Sequence, residues 1–143
     1  MLDKAAIAAL IPHHGAMCLL AEVIAWDAGK IRCLARSHRD PDNPLMADGR
    51  LGAGCGVEYA AQAMAVHGGL NGALGHRPMA GYLISVRGLT LHRPFLHDLP
   101  GDLIIAAELL SGEGTLMSYG FRLNCGDRAV LQGRAAVQLE ALP

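Results

Sequence analysis

Charge is scarce in this sequence. Asp, Glu, Lys and Arg make up 17% of its 143 residues, where about a quarter is usual for a soluble domain. Twelve basic side chains stand against thirteen acidic ones, a formal charge of -1, so the balance carries no electrostatic footprint for nucleic acid. Disorder is excluded too, because disordered chains combine low hydrophobicity with high charge and 52% of this one is apolar. A deficit of charge at this size implies apolar surface hidden against another subunit. Long apolar runs are also absent. Nothing approaches the roughly 18 to 20 residues of a membrane span, and the longest candidate, 57–66, is broken by Glu58 and Gln62. Residues 1–10 set Asp3 beside Lys4 and lack a long apolar stretch, so no signal peptide is expected and the cytoplasm is the expected location.

Paired cysteines are missing as well. Cys18, Cys33, Cys55 and Cys125 form no C-x-x-C unit, which favours buried free thiols over disulfides or metal ligands. The seven histidines include no H-x-x-x-H or H-E-x-x-H spacing, and adjacent His13 and His14 would not converge on one ion, so no metal is expected.

What is present reads as one domain over 1–143. Residues 5–10 form a short helical run ended by Pro12. Strands are expected at 17–26 and 31–38 around an Asp27–Gly29 turn, with Ile31, Cys33 and Ala35 alternating against Arg32, Arg36 and His38. Residues 39–52, rich in Pro and Asp, form an irregular loop of about 14 residues, long enough to suggest function. Gly52, Gly54 and Gly56 then lead into a helix at 57–67, apolar nearly all round and therefore buried. Everything after Gly81 alternates as strand, in 82–93, 102–111, 116–125 and 130–139, with a hairpin turn at 124–127. The simplest assembly is α+β: one curved antiparallel sheet wrapped around a single long helix.

Glu58 and Gln62, four residues apart, share a face of that helix. Burying unpaired polar groups costs about 1 to 3 kcal/mol by mutational estimates, so they need partners or a task. Glu58 could simply complement the helix dipole. Alternatively, the glycines before the helix let a ligand approach backbone amides that can polarise a carbonyl, and a carboxyl group beside them suits acid/base work.

Three motifs in order bear a resemblance. Residues 10–20 (LIPHHGAMCLL), the EYAAQ helix at 58–62, and His92-Arg93-Pro94 followed by Pro100-Gly101-Asp102 resemble the hot-dog-fold 3-hydroxyacyl-acyl-carrier-protein dehydratases of fatty acid synthesis. The GVEYAAQAMA run is similar to the dehydratase-like branch found in aryl polyene gene clusters. The resemblance spans almost the whole chain. It implies a six-stranded sheet around a central helix, dimerised edge to edge, with acyl tunnels between subunits. It implies dehydration of (3R)-hydroxyacyl thioesters carried on the phosphopantetheine of acyl carrier protein, with no metal or organic cofactor. By motif match Glu58 is the catalytic carboxylate, Gln62 orients it, and Gly54 or Gly56 supplies the backbone donor. The family's loop histidine is the point of departure. Its Gly-His-Phe-Pro stretch corresponds to Gly49-Arg50-Leu51-Gly52, and Arg50 cannot serve as a base near neutral pH. His13 is the first candidate replacement, with Arg50 left as a substrate contact; His38 and His67 are alternatives.

Three functions remain open at this level: a dehydratase, a non-catalytic hot-dog subunit that binds acyl chains or stabilises a catalytic partner in a heterodimer, and a thioester hydrolase. Either a homodimer or a heterodimer fits.

Overall fold

The computed structural model describes residues 1–13, 15–72 and 79–141. The chain opens with β1 (Leu2–Asp3) and α1 (Lys4–Ala8), whose N-terminus is capped by the Asp3 carboxylate accepting from Ala6 N at 2.9 Å. Next come β2 (Glu22–Trp26), β3 (Lys30–Ala35) and the central helix α2 (Gly56–Leu70). Four long strands complete the chain: β4 (Met79–Leu91), β5 (Leu103–Glu113), β6 (Leu116–Cys125) and β7 (Arg128–Ala141). All pair antiparallel in one sheet of order β1-β2-β3-β5-β6-β7-β4.

The sheet has seven strands, one more than expected. Leu2 and Asp3 pair with Val23 and Glu22, and a two-residue strand is too short to show alternation in a sequence. The expected strand at 17–26 starts only at Glu22, because a 3-10 turn at Gly15–Met17 precedes it and the backbone of Met17 and Leu19 is engaged elsewhere, as described below.

Tight turns do much of the routing. The Asp27 carboxylate accepts from the Gly29 and Lys30 amides at 2.8 and 3.0 Å, closing the β2–β3 hairpin. Gly126 takes φ +60 between Cys125 and Arg128, which pair directly across the β6–β7 turn. Trp26, the sole tryptophan, ends β2 and is 44% exposed.

Twelve of the 15 residues of α2 are buried, so both sides of the helix are covered. One side lies on the sheet at close range. A Cβ on Gly56 would collide with the Leu131 side chain, one on Gly68 would stand 2.6 Å from Leu139 Cδ1, and Gly81 of β4 meets Ala65 in the same way. The other side is covered by the segment carrying Ile11, Cys18, Leu19 and Leu20, all buried. Cys18, Cys33 and Cys125 are buried free thiols and Cys55 is half-buried. Burial pushes the Cys33 thiol up to about 12.

β4 is the free edge of the sheet next to β7. Tyr82, Leu83, Ile84, Leu89 and Leu91 on it are all exposed, a concentration of apolar side chains on one unpaired strand.

Candidate active site

The start of α2 is built by two converging segments. Residues 47–53 approach through a two-residue hairpin: Ala47 and Arg50 exchange backbone hydrogen bonds at 2.8 and 3.0 Å, with Asp48 at φ 53 and Gly49 at φ 71 between them. The strip beyond is held to residues 94–97. Leu96 N donates to Leu51 O, Ala53 N donates to Pro94 O, and Leu51 N donates to His97 Nδ1 at 3.0 Å. The 3-10 turn Ala53–Cys55 then runs directly into α2.

The structure gives the two glycine candidates different tasks. Gly56 is buried against Leu131 and Leu123, and its N–H donates to Ala53 O, so it serves packing. This corrects the expectation that Gly56 could offer a donor to a ligand. Gly54 is exposed with open space around its Cα. Its neighbours Ala53 and Cys55 donate to Pro94 O and Gly52 O, while the Gly54 N–H has no acceptor among the described residues. Gly54 and Glu58, four positions apart, stand on one side of the helix entry.

His13 meets Glu58 at this entry. Nε2 of the imidazole lies 3.5 Å from Glu58 Oε1, with the two side chains 26% and 41% exposed. His13 Nδ1 is buried without a hydrogen-bond partner among the described residues. His14 lies outside the described residues.

Among the described residues Gln62 makes no hydrogen bond to His13 or Glu58, which corrects its expected role in orienting Glu58. Its Oε1 accepts from Leu19 N at 3.0 Å and its Nε2 donates to Met17 O at 2.8 Å. The buried amide therefore reads like a short piece of β-ladder, holding the 17–19 backbone against the helix. Through that clamp Gln62 fixes the segment that delivers His13, which is positioning at one remove.

Arg50, expected as a substrate contact, stands on the hairpin beside this entry. It is exposed, and its guanidinium sits 5.6 Å above the Phe95 ring, a cation–π contact that holds the hairpin to the 94–97 strip. The two other histidines considered as acid/base groups are structural. His38 is buried and bonds Leu99 O through Nε2 at 3.1 Å. Buried His67 pairs Nδ1 with the Tyr119 hydroxyl at 2.7 Å and donates from Nε2 to Asp27 O at 2.8 Å. Burial lowers both pKa values below the ordinary imidazole range, against an opposing pull from these carbonyls.

A third group escaped sequence reasoning. The Tyr59 hydroxyl, one residue beyond Glu58, meets Ser37 Oγ at 2.8 Å and accepts from Asn43 Nδ2 at 3.1 Å, while Ser37 Oγ donates to Leu19 O. Burial raises the Tyr59 pKa, with Ser37 and Asn43 pulling the other way. This network ties the long loop, the helix and the His13 segment together. A tyrosine in an apolar helix gives no signal of it, because its partners come from elsewhere: the strand expected over 31–38 ends at Ala35, Ser37 opens a 3-10 turn over Ser37–Arg39, and Asn43 lies in the long loop. Among the described residues no group of three or more His, Cys, Asp or Glu gathers where it could hold a metal ion, and no helix is long and apolar enough to cross a membrane.

Comparison with known proteins adds the lineage of this arrangement. Residues 5–140 match the model of a family described as ApeP-like, ApeP dehydratase. No curated protein matches. Among solved structures, the dehydratase heterocomplex ApeI:P from Xenorhabdus doucetiae superposes with a TM-score of 0.82 at 24% identity, covering 94% of this chain and 90% of that one. A mutant thioesterase from Pseudomonas aeruginosa reaches 0.57 at 16% identity, over 85% and 81% of the two chains. A protein from Streptococcus pneumoniae described as a hypothetical thioesterase, solved with coenzyme A, reaches 0.61 at 12% identity, over 84% and 85%. The hot-dog fold is common ground to the sequence resemblance and these superpositions.

Proposed function

The chain belongs to the ApeP-like dehydratase family, and from that premise we propose that it eliminates water from 3-hydroxyacyl thioesters on acyl carrier protein, with His13 and Glu58 as the acid/base pair. The observation that supports this reading is the 3.5 Å approach of His13 to Glu58 at the mouth of α2, beside the unpaired Gly54 amide. In the proposed step neutral His13 takes the C2 proton, the electron pair closes the C2–C3 double bond, and the C3–O bond breaks. A protonated Glu58 supplies the proton that makes the leaving hydroxyl water. His13 then returns a proton to Glu58 across their short gap, which resets the pair. The Gly54 N–H polarises the thioester carbonyl and so acidifies C2–H. These side chains and the phosphopantetheine-borne substrate suffice for the reaction, which calls for no further cofactor.

The partner in this reading is a second hot-dog chain, joined through β4. The exposed apolar side chains of that edge and the likeness to a dehydratase heterocomplex both favour an extended sheet, which would cover part of the surplus apolar composition. A second reading has specific support. By motif match Arg50 stands where the resembled family carries its loop histidine, which favours a stabilising subunit of a composite enzyme.

One assay separates the two. Purified protein is given a 3-hydroxyacyl thioester on carrier protein, alone and with a catalytic hot-dog partner, and the enoyl product is followed. Turnover by the chain alone that falls about 100-fold or more in Glu58→Gln and His13→Gln supports the acid/base pair. Turnover only with the partner, indifferent to both substitutions, assigns the stabilising role.

A further inference from the structure

Five of the twelve basic side chains gather on the sheet face turned away from α2. Cross-strand register sets them in two adjacent rows. Arg32, Ala106, Arg122 and Gln132 succeed one another across β3, β5, β6 and β7. Lys30, Glu108, Gly120, Arg134 and Arg87 succeed one another in the next row, from β3 to β4. All five cations are exposed, and an open groove of about 580 Å³ lies over the rows, with Lys30, Arg32, Arg122 and Arg134 in its walls. Ala106 and Gly120 keep its floor low.

The charge in this groove is unbalanced. Glu108 is the one carboxylate among its described lining residues. The ion pairs among the described residues join His13 to Glu58 and Arg36 and Arg39 to Asp102, and none involves a groove cation. Arg87 and Arg134 stand directly opposite each other on neighbouring strands, a placement of like charges that destabilises a sheet. In a chain short of charge, five cations against the single carboxylate of Glu108, which stands opposite Lys30, leave a net positive face that requires a counterpart.

We propose that this outer face docks an acidic α-helix of a partner protein. Strands lie about 4.8 Å apart, so Arg32 and Arg122 are roughly 10 Å apart and Lys30 and Arg134 roughly 14 Å. A helix laid across the strands rises 5.4 Å per turn, close to the strand spacing, and brings side chains at i, i+4 and i+7 onto one face, so its carboxylates can meet the cations of β3, β6, β7 and β4 in turn. The two rows, about 7 Å apart along the strands, flank a rod of roughly 10 to 12 Å diameter. A single phosphate would engage only part of a field about 19 Å wide. A second copy of this chain would set cations against cations. The inference is independent of the dehydratase reading, because the groove and Glu58 are on opposite faces of the sheet.

The test uses the full chain and two fluorescent peptides of identical composition, one stapled into a helix with glutamates along one face, the other prevented from folding by proline placement. Anisotropy at low salt should show the helical peptide binding about tenfold more tightly than the other, and the double variant Arg122→Glu/Arg134→Glu should weaken it about tenfold or more. Arg128→Glu, at the β6–β7 turn, should leave binding unchanged. Circular dichroism checks the fold; if charge reversal unfolds the chain, Arg122→Gln/Arg134→Gln gives the same comparison. Absence of binding, equal binding of both peptides, or binding untouched by the groove variants overturns the proposal. So does displacement of the helical peptide by inorganic polyphosphate or single-stranded DNA at lower concentration than by the unlabelled peptide.

Discussion

Replacing Gln62 with leucine removes the clamp between α2 and the His13 segment while nearly preserving side-chain volume. The substitution leaves Leu19 N and Met17 O without their partners. A buried donor or acceptor left unpaired costs about 1 to 3 kcal/mol; Leu19 is 1% exposed and bears close to a full penalty, whereas half-buried Met17 can recover part of its bond from water. Leucine returns some energy by its apolar character, so a net loss of about 2 to 3 kcal/mol is expected, a large fraction of a total stability of roughly 5 to 15 kcal/mol. With a urea m-value of about 2 kcal/mol/M, the unfolding midpoint drops by about 1 to 1.5 M. The clamp also makes a second claim. His13 should lose its fixed 3.5 Å approach to Glu58, so the NMR chemical shifts of its ring protons should change at constant pH, and any turnover that depends on the pair should fall through kcat. Gln62→Glu keeps the acceptor for Leu19 N but sets a carboxylate oxygen against Met17 O and buries a charge at neutral pH, so it should destabilise at least as much as leucine. A loss of stability below about 0.5 kcal/mol with unchanged His13 ring chemical shifts would refute the reasoning.

Two further outcomes follow from the interior. His38 and His67 are held neutral by burial, so the unfolded chain takes up their protons first as pH falls through about 6.5. The stability they contribute is present above that pH and is lost below it, at about 1.4 kcal/mol per pH unit for each histidine; urea titrations should show this slope, and His67→Gln should reduce it. Gly56→Ala drives a methyl into Leu131 and Leu123 and should cost about 1 to 3 kcal/mol by thermal unfolding, whereas Gly54→Ala, with open space around it, should cost under about 0.5 kcal/mol.

The central helix and the long C-terminal strands were legible because alternation and all-round apolarity are local properties, visible in Leu131, Ala135, Val137 and Leu139 or in the Ala60–Val66 stretch. Pairing of distant polar atoms is not local. Glu58 and Gln62 look equivalent in sequence, yet one faces His13 and the other lies against the Met17 and Leu19 backbone, because Ile11 and Leu19, distant in sequence from the helix, are buried in the core. Arg50 was placed by motif alignment; its contact with Phe95 depends on a strip 45 residues away in the sequence. Gly54 and Gly56 differ only in what faces them, and Leu131 decides that from the far end of the chain.

The lone indole has an experimental consequence. Trp26 adjoins Asp27, whose carbonyl holds His67, nine residues along α2 from Glu58 and so about 13 Å down the axis. Its emission therefore reports on the remote end of the helix and is blind to events confined to the mouth. A change in that emission on adding an acyl thioester would mean that binding at the mouth is felt at the β2–β3 hairpin, which holds the far end of α2 through His67.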